Sequence, residues 1–173
     1  MIEVERNPRN KLFILLLMVT GLRVGEAVSL TRKNFSNHGG IIRIGVIGKG
    51  GKYRSVICPD WLWAEIEQYV TSERYPFSSW VDQSPLFPSQ VEPYGPITTA
   101  AAWKIVKLAA KRAKITDEPS PHWLRHAHAL MSVQAGVPLH VLKASMGHAS
   151  ITTTEKYIAV FPTEGCSTYI AKR

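Results

Sequence analysis

The sequence is short of several features that commonly define a function class. Its 173 residues include only two cysteines, Cys58 and Cys166, at no spacing typical of a metal site or a disulfide framework. The apolar run 12–19 is too short to cross a bilayer, and the N-terminus lacks the pattern of a signal peptide. These absences predict a protein of a reducing compartment, the cytoplasm or nucleoid, without a membrane partner.

Acidic residues are also scarce, whereas positive charge is abundant. Thirteen Asp and Glu stand against 21 Lys and Arg, which gives a net charge of +8 and a pI near 9.7. Such an excess favours nucleic acid or another anionic surface over acidic-metal chemistry, the alternative being an ordinary basic domain. A content of 45% hydrophobic residues with 20% charged ones is typical of a globular domain.

Hydrophobic patterning predicts a mainly α chain with a small antiparallel β-sheet, the α+β class. Helices are predicted at 11–20, then to about 30, at 61–72, 98–113, from 122, at 139–145 and from 150. Strands are predicted at 41–46 and 53–58, and the proline-rich segment 74–97 is predicted to be an irregular surface loop. The predicted helix ends are Gly21 and Gly136, and the predicted N-caps are Asp60, Thr98, Ser120 and Ser150.

The two predicted strands are joined by a glycine-rich turn, 48–52, with the sequence GKGGK. A phosphate-binding Walker loop read to Lys52 would need glycine at Val46 and a hydroxyl residue at Tyr53. A dinucleotide-binding glycine pattern fails at Tyr53 as well. The turn is therefore interpreted as a hairpin tip that presents a lysine to an anion, the alternative being a solvated turn.

Several residues indicate a site that handles phosphate. His122 and Arg125 are three positions apart, so a helix would place both on one face. A Gly-His pair ending at His148 and then Tyr157 follow within the same stretch. Near the N-terminus Arg23 precedes Glu26 by three positions, a spacing that also fits a purely structural ion pair.

A zinc site is the alternative to this interpretation. His122 and His126 have the i,i+4 spacing of a metalloprotease helix, but Trp123 occupies the position of the required glutamate and no third ligand is evident. The sequence therefore predicts no metal. Other side chains are interpreted as structural: three histidines (His126, His128, His140), three core candidates (Trp123, Leu124, Leu130) and the packing tyrosines (Tyr53, Tyr69, Tyr75, Tyr94, Tyr169).

Four segments together resemble the conserved boxes of the tyrosine recombinases, the phage integrase family. They are TGLRVGEAVSL, GKGGKYRSVICP, HWLRHAHA and MGHASITTTEKYI, in the order and spacing of that family. The resemblance covers about 11–160 and implies the tyrosine recombinase catalytic-domain fold, with 1–173 as a single catalytic domain. The family's usual N-terminal DNA-binding domain is expected to be absent, and 161–173 is expected to be a tail that docks on a neighbouring protomer.

The resemblance also implies roles for the cationic residues. Arg23 and Arg125 would clamp the non-bridging oxygens of a scissile phosphate, a task that suits a planar guanidinium. His122 and His148 would hydrogen-bond the phosphate or assist proton transfer, and Glu26 would support this group. Further contacts to DNA are predicted for Lys52 and Arg54. Independently of the resemblance, the basic stripe of Lys104, Lys107 and Lys111 on the predicted helix 98–113 could lie along a phosphate backbone, the alternative being a solvated helix face.

The implied chemistry is strand cleavage and rejoining. Tyr157 would attack the phosphorus as nucleophile, and Lys49, or Lys52 if the hairpin register differs, would protonate the departing 5′-oxygen. The resulting 3′-phosphotyrosyl link conserves the energy of the phosphodiester, so that no cofactor, neither ATP nor metal, is expected.

The resemblance finally implies a function and partners. It predicts a site-specific DNA recombinase or integrase acting in integration or excision, with double-stranded DNA, a tetrameric synapse of identical protomers and accessory DNA-bending proteins as partners. A type IB-like relaxing topoisomerase and a non-catalytic DNA-binding relative remain as alternatives at this point.

Overall fold

The computed structural model of the chain describes residues 1–117 and 119–147, apart from the side chain of Lys49. Residues 1–128 form one compact unit, and a second begins at Ala129. The α+β class predicted from the sequence is confirmed. The helices are α1 (Pro8–Thr20), α2 (Val24–Val28), α3 (Asp60–Val70), α4 (Thr99–Arg112), α5 (Pro121–Gln134) and α6 (Leu139–Met146), and the strands are β1 (Phe35–His38), β2 (Ile41–Ile47) and β3 (Tyr53–Cys58).

Helix α1 lies at the centre of the first unit. Phe13, Ile14, Leu16 and Leu17 are fully buried, because the helix is apolar on nearly every face. It begins three residues earlier than predicted, since Asn7 caps it and Pro8 suits the first helical position. As predicted, it ends at Gly21, whose left-handed φ of 61° lets its N–H reach the carbonyl of Leu17.

The sheet has three antiparallel strands in the order β1-β2-β3. Strands β2 and β3 were predicted, whereas β1 was missed. The signal for β1 was the pair Gly39-Gly40, whose φ values of 60° and 84° fit a two-residue hairpin turn. Alternate residues of β2 and β3 face the core, with Ile44 and Val56 paired there.

Of the three N-caps predicted at described residues, two are right and one is wrong. The hydroxyl of Thr98 accepts a hydrogen bond from the N–H of Ala101, and that of Ser120 accepts one from the N–H of Trp123, both at 3.1 Å. Asp60 was predicted as an N-cap, but Pro59 holds that position and Asp60 lies in the first turn of α3. A carboxylate in a first turn still interacts favourably with the helix dipole.

The proline-rich segment 74–97 is irregular, as predicted. Phe87 fixes it to the core, where it is fully buried and meets Phe13 edge-on at 5.1 Å between ring centroids. Trp80 packs on Phe35 with 5.3 Å between the centroids. Within the segment, the ring of Tyr94 contacts that of Phe77 with 6.2 Å between the centroids.

Two aromatic assignments made from the sequence were wrong. Trp123 is 42% exposed, because the buried face of α5 is occupied by its neighbours Leu124 and Arg125. Tyr53 is 71% exposed, since it pairs with Ile47 on the outer face at the turn end of the hairpin. Tyr69 and Tyr75 are buried packing residues as predicted, and Tyr169 lies outside the described residues.

Helix α6 belongs to the second unit. Leu142 and Met146 are buried there together with Ala129. Pro138 precedes the helix and Gly147 ends it with a φ of 62°. The predicted helix from Ser150, the candidate residues His148 and Tyr157, and the tail 161–173 lie outside the described residues. No described helix combines the length and the apolarity needed to cross a membrane.

Candidate active site

Arg23 and Glu26 lie at the start of α2, directly after the turn that ends α1. The backbone N–H of Arg23 donates to Oε2 of Glu26 at 2.7 Å, and its guanidinium Nη1 donates to Oε1 at 3.0 Å. A glutamate in a first helical turn is well placed to bond back to the residue before the helix. The side chain of Arg23 remains 37% exposed, whereas that of Glu26 is only 6% exposed.

Arg54 on β3 completes a buried ion-pair group around Glu26. Its Nη1 and Nη2 donate to Oε1 and Oε2 at 2.6 and 2.7 Å, a two-point contact between guanidinium and carboxylate. Burial alone would raise the pKa of Glu26, but the hydrogen bonds from Arg54 and Arg23 outweigh it, so that this pKa lies below its ordinary value. Glu26 is therefore held as a carboxylate.

An open cleft of about 470 Å³ lies beside this group. It is lined by Arg23, Val24, Gly25, Glu26, Ser29, Ile47 and Gly48. Gly48 approaches both guanidinium groups closely: a Cβ placed there would lie 3.3 Å from Nη1 of Arg54 and 3.6 Å from Nη1 of Arg23. The lack of a side chain at Gly48 therefore keeps the cleft open above Arg23.

The lysine-bearing turn adjoins the same cleft. The N–H of Gly48 donates to the carbonyl of Lys52 at 2.8 Å, which closes the turn. A short 3-10 turn, Lys49–Gly51, forms its tip, with Gly50 and Gly51 at positive φ. The backbone of Lys49 is thus next to Gly48 at the rim of the cleft, and Lys52 is exposed.

Arg125 is bound to the segment just before Arg23. Its guanidinium donates to the carbonyl of Gly21, and the residue is 4% exposed. One turn further along α5, Nδ1 of His128 lies 3.0 Å from the carbonyl of Met18. These two contacts fix α5 to the end of α1. They bring the arginines of the first and third sequence boxes to one region.

His122 and His126 form an exposed imidazole pair on α5. Their Nε2 atoms are 2.7 Å apart and their rings meet edge-on at 4.2 Å. Burial, with the charges of His122 and Arg125, lowers the pKa of His126. Burial also lowers the pKa of His128, whose backbone contact agrees with the structural role predicted for it. In 1–117 and 119–147, no three potential metal ligands converge.

The structure brings together part of the predicted site. Arg23, Glu26 and Arg125 lie within the unit 1–128, with the turn of Lys49 at the rim of the Arg23 cleft and His122 one helical turn from Arg125. The predicted DNA contacts Lys104, Lys107 and Lys111 are exposed along α4, which packs against α2. Arg54 was predicted to contact DNA, yet its guanidinium is turned onto Glu26. The Arg54–Glu26 pair was not predicted from the sequence.

Comparison with known proteins defines the class. The phage integrase family matches residues 2–164, and the chain therefore belongs to that family. Tyrosine recombinase XerD of Shewanella oneidensis is 40% identical over 152 residues, 88% of this chain and 49% of that protein. XerD of Haemophilus influenzae is 38% identical over 160 residues, 92% of this chain and 52% of that protein.

A solved structure supports the same conclusion. The post-cleavage complex of the XerH site-specific recombinase bound to palindromic difH substrate matches with a TM-score of 0.75 and 30% identity, over 88% of this chain and 42% of that chain. The tyrosine recombinase fold expected from the four sequence segments is thereby confirmed. The chain spans about half the length of the curated relatives it matches.

Replacing Glu26 with glutamine is expected to lower the free energy of unfolding by about 3 kcal/mol at pH 7, because two arginines lose their buried carboxylate. The folded pKa of Glu26 lies below its ordinary value of 4.5. Its contribution is therefore complete above about pH 5 and is lost as the pH falls through the folded pKa. Urea denaturation of both proteins from pH 7 to pH 3 measures this difference, which should shrink in acid.

The matched control is Glu67→Gln, which removes an exposed carboxylate from α3. It is expected to change the free energy of unfolding by less than about 0.5 kcal/mol. A Glu26→Gln deficit that stays constant with pH would show that the carboxylate charge is not what Arg54 and Arg23 stabilise.

Gly21→Ala is expected to destabilise the chain more than Gly39→Ala, although the two glycines have nearly equal φ values of 61° and 60°. In both variants a residue with a Cβ takes a left-handed φ, which lowers the free energy of unfolding by about 1 kcal/mol. Only at position 21 would the new Cβ clash with the ring of His128, whereas nothing lies within 4 Å at position 39. Thermal or urea denaturation measures both, and equal losses would contradict the close packing of α5 on this turn.

Proposed function

We propose that this chain is the catalytic domain of a site-specific DNA recombinase. It cleaves and rejoins DNA strands by transesterification, in the integration or excision of a DNA element. The observation that carries the proposal is the arginine group of the cleft: Arg23, partly exposed, held by the buried carboxylate of Glu26, beside the turn that bears Lys49. Family membership supports the same conclusion.

The chemistry follows from the charge of the substrate. A phosphodiester is anionic and repels nucleophiles, so catalysis needs positive donors fixed on the charge that develops at phosphorus. Arg23 and Arg125 supply rigid guanidinium donors for the non-bridging oxygens. Each is anchored in the protein, Arg23 by Glu26 and Arg125 by the carbonyl of Gly21. Less reorganisation is then required when the phosphate binds.

Tyr157 is the nucleophile of the proposed reaction. Its phenol oxygen forms a bond to phosphorus while the bond from phosphorus to the 5′-oxygen breaks, and the phenol passes its proton to an imidazole of the site, that of His122 or His148. Lys49 gives a proton to the departing 5′-oxygen, with His122 and His148 hydrogen-bonding the phosphate. A phenol has an ordinary pKa of about 10, and neighbouring cations make its deprotonation easier. The reverse attack by a 5′-hydroxyl rejoins the strand.

Double-stranded DNA is the proposed substrate and partner. The exposed lysines of α4 (Lys104, Lys107, Lys111) and Lys52 would contact its phosphates, which position a protein without reading its sequence. Strand exchange further requires four protomers on two duplexes. Light scattering of the DNA complex separates this assembly from a relaxing topoisomerase, which acts on one duplex.

The test is covalent trapping on a nicked suicide substrate, from which the short cleaved piece diffuses away. The wild-type chain is incubated with this DNA in chelator and without ATP, and the products are separated under denaturing conditions. A stable protein–DNA adduct is the expected result. Since about half of each relative's length lies outside this chain, the assay is run with and without an added N-terminal DNA-binding domain from a family member.

Two outcomes would overturn the proposal. One is an adduct that forms only when ATP or a divalent metal is added. The other is an absence of adduct on every substrate of a random library in the presence of the added domain, with duplex binding intact. The second outcome would favour a DNA-binding role without cleavage.

A further inference from the structure

We infer that Arg54 is a positioning residue, which fixes Arg23 through Glu26 and ties the lysine-bearing hairpin to the first arginine of the site. Its effect on catalysis rests on the proposed function, whereas its effect on the geometry of Arg23 does not. The sequence predicted a direct DNA contact for Arg54. The structure gives grounds for a different role.

The geometry of the carboxylate is the first ground. Oε1 of Glu26 accepts from Nη1 of Arg54 at 2.6 Å and from Nη1 of Arg23 at 3.0 Å, so one oxygen serves both arginines. Arg54 also holds Oε2, at 2.7 Å. The backbone N–H of Arg23 shares Oε2, also at 2.7 Å. Arg54 is thus the side chain that bonds both oxygens, and its fork opposes rotation of the carboxylate that binds the guanidinium of Arg23.

The difference in exposure is the second ground. The side chain of Arg54 is 10% exposed and that of Arg23 is 37% exposed. Only Arg23 lines the open cleft. The two arginines that bond Glu26 therefore have different roles. Arg54 orients the carboxylate, and Arg23 faces the space in which a phosphate would bind.

The position of Arg54 in the chain is the third ground. It lies at the start of β3, two residues after Lys52 and close to the turn that bears Lys49. Its ion pair with Glu26 joins segments 28 positions apart, so it sets the hairpin against α2. Two positive charges and one negative charge leave the group cationic, as an anion-binding cleft requires.

Cleavage kinetics provide the first test. Under single turnover at saturating suicide DNA, Arg54→Gln is expected to slow adduct formation by about 10- to 100-fold, the cost of a small displacement of a catalytic group. Arg54→Lys is expected to fall between it and the wild type, because an ammonium cannot contact both oxygens in the fork geometry. All rates are measured at a temperature where each variant is folded.

The matched control is Arg112→Gln. Arg112 pairs with Glu5, another buried glutamate, far along the chain from the cleft residues. Its loss is expected to change the rate by less than about twofold. A loss equal to that of Arg54→Gln would show that any broken buried pair slows the reaction, and would overturn the assignment.

A methylphosphonate substrate separates positioning from folding and from DNA affinity. Replacing a non-bridging oxygen by methyl removes the charge that Arg23 would neutralise. The ratio of wild-type to Arg54→Gln rates should therefore contract on this substrate. An unchanged ratio would overturn the assignment, and so would a defect that higher DNA concentration abolishes, because that result would indicate a direct DNA contact.

Nuclear magnetic resonance tests the geometry without any reaction. The Nε–H signal of Arg23, identified by its disappearance in Arg23→Lys, should shift in Arg54→Gln and stay in place in Arg112→Gln. If the Arg23 signal shifts in Arg54→Gln but the wild-type chain forms no adduct, the positioning role is retained and the proposed function is rejected. An unmoved signal in Arg54→Gln would reject the positioning role even in an active enzyme.

Discussion

The Tyr157→Phe variant is expected to bind duplex DNA like the wild type and to form no covalent adduct. Phenylalanine keeps the aromatic ring and removes only the hydroxyl group, the oxygen that is proposed to attack phosphorus. Because no other group replaces a nucleophile, we expect a loss on the order of 10⁴-fold or more. Gel-shift titration measures binding, and a denaturing gel of the suicide-substrate reaction measures the adduct.

Tyr53→Phe is the matched control for this change. Tyr53 directly follows the lysine-bearing turn. It is 71% exposed, so its hydroxyl lies outside the core. Its removal is expected to leave adduct formation within about twofold of the wild type. An adduct formed by Tyr157→Phe, or lost in Tyr53→Phe, would contradict the assignment of the nucleophile.

Arg125→Gln is expected to slow cleavage by about 10²- to 10³-fold, the usual cost of losing one fixed donor to developing negative charge. DNA affinity is expected to fall much less, because the proposed phosphate contacts of the α4 lysines and Lys52 are left in place. Since Arg125 is 4% exposed and bonds the carbonyl of Gly21, the variant is also expected to be less stable. Rates are therefore compared per folded molecule, with the folded fraction measured by circular dichroism.

His128→Gln separates the two effects of the Arg125 substitution. His128 holds the same helix to the end of α1 through the carbonyl of Met18, but it carries no guanidinium. We expect it to lower stability and to leave the cleavage rate per folded molecule nearly unchanged. If both variants slow cleavage equally, the anchoring of α5, and not the donor Arg125, determines the rate.

The parts of the fold that follow local rules were predictable. A nearly all-apolar segment ending in glycine gave α1 and its end at Gly21, and hydroxyl residues marked the starts of α4 and α5. The four boxes of the candidate site came from the resemblance to the tyrosine recombinases, which could be seen because each box is a short run of sequence. The α+β class followed from those elements.

What the sequence did not reveal depends on contacts between distant segments. Nothing in local periodicity links Arg54 to Glu26, which lies 28 positions before it. The ion pair depends on the tertiary packing that brings Arg54 of β3 to Glu26 of α2. The contact of Arg125 with Gly21 spans 104 positions and was hidden for the same reason. The short strand β1 was missed although Gly39-Gly40 marks its turn, because only one of its four residues is buried.

The most direct test of the account is the polarity and location of the covalent link. The adduct from the suicide substrate is digested with protease and nuclease, the modified peptide is sequenced by mass spectrometry, and the released strand is tested for a free 5′-hydroxyl by enzymatic phosphorylation. The account predicts a 3′-phosphate ester on Tyr157 and a 5′ end that accepts phosphate without prior treatment. A link at any other residue, or a protein-bound 5′ end, would contradict it.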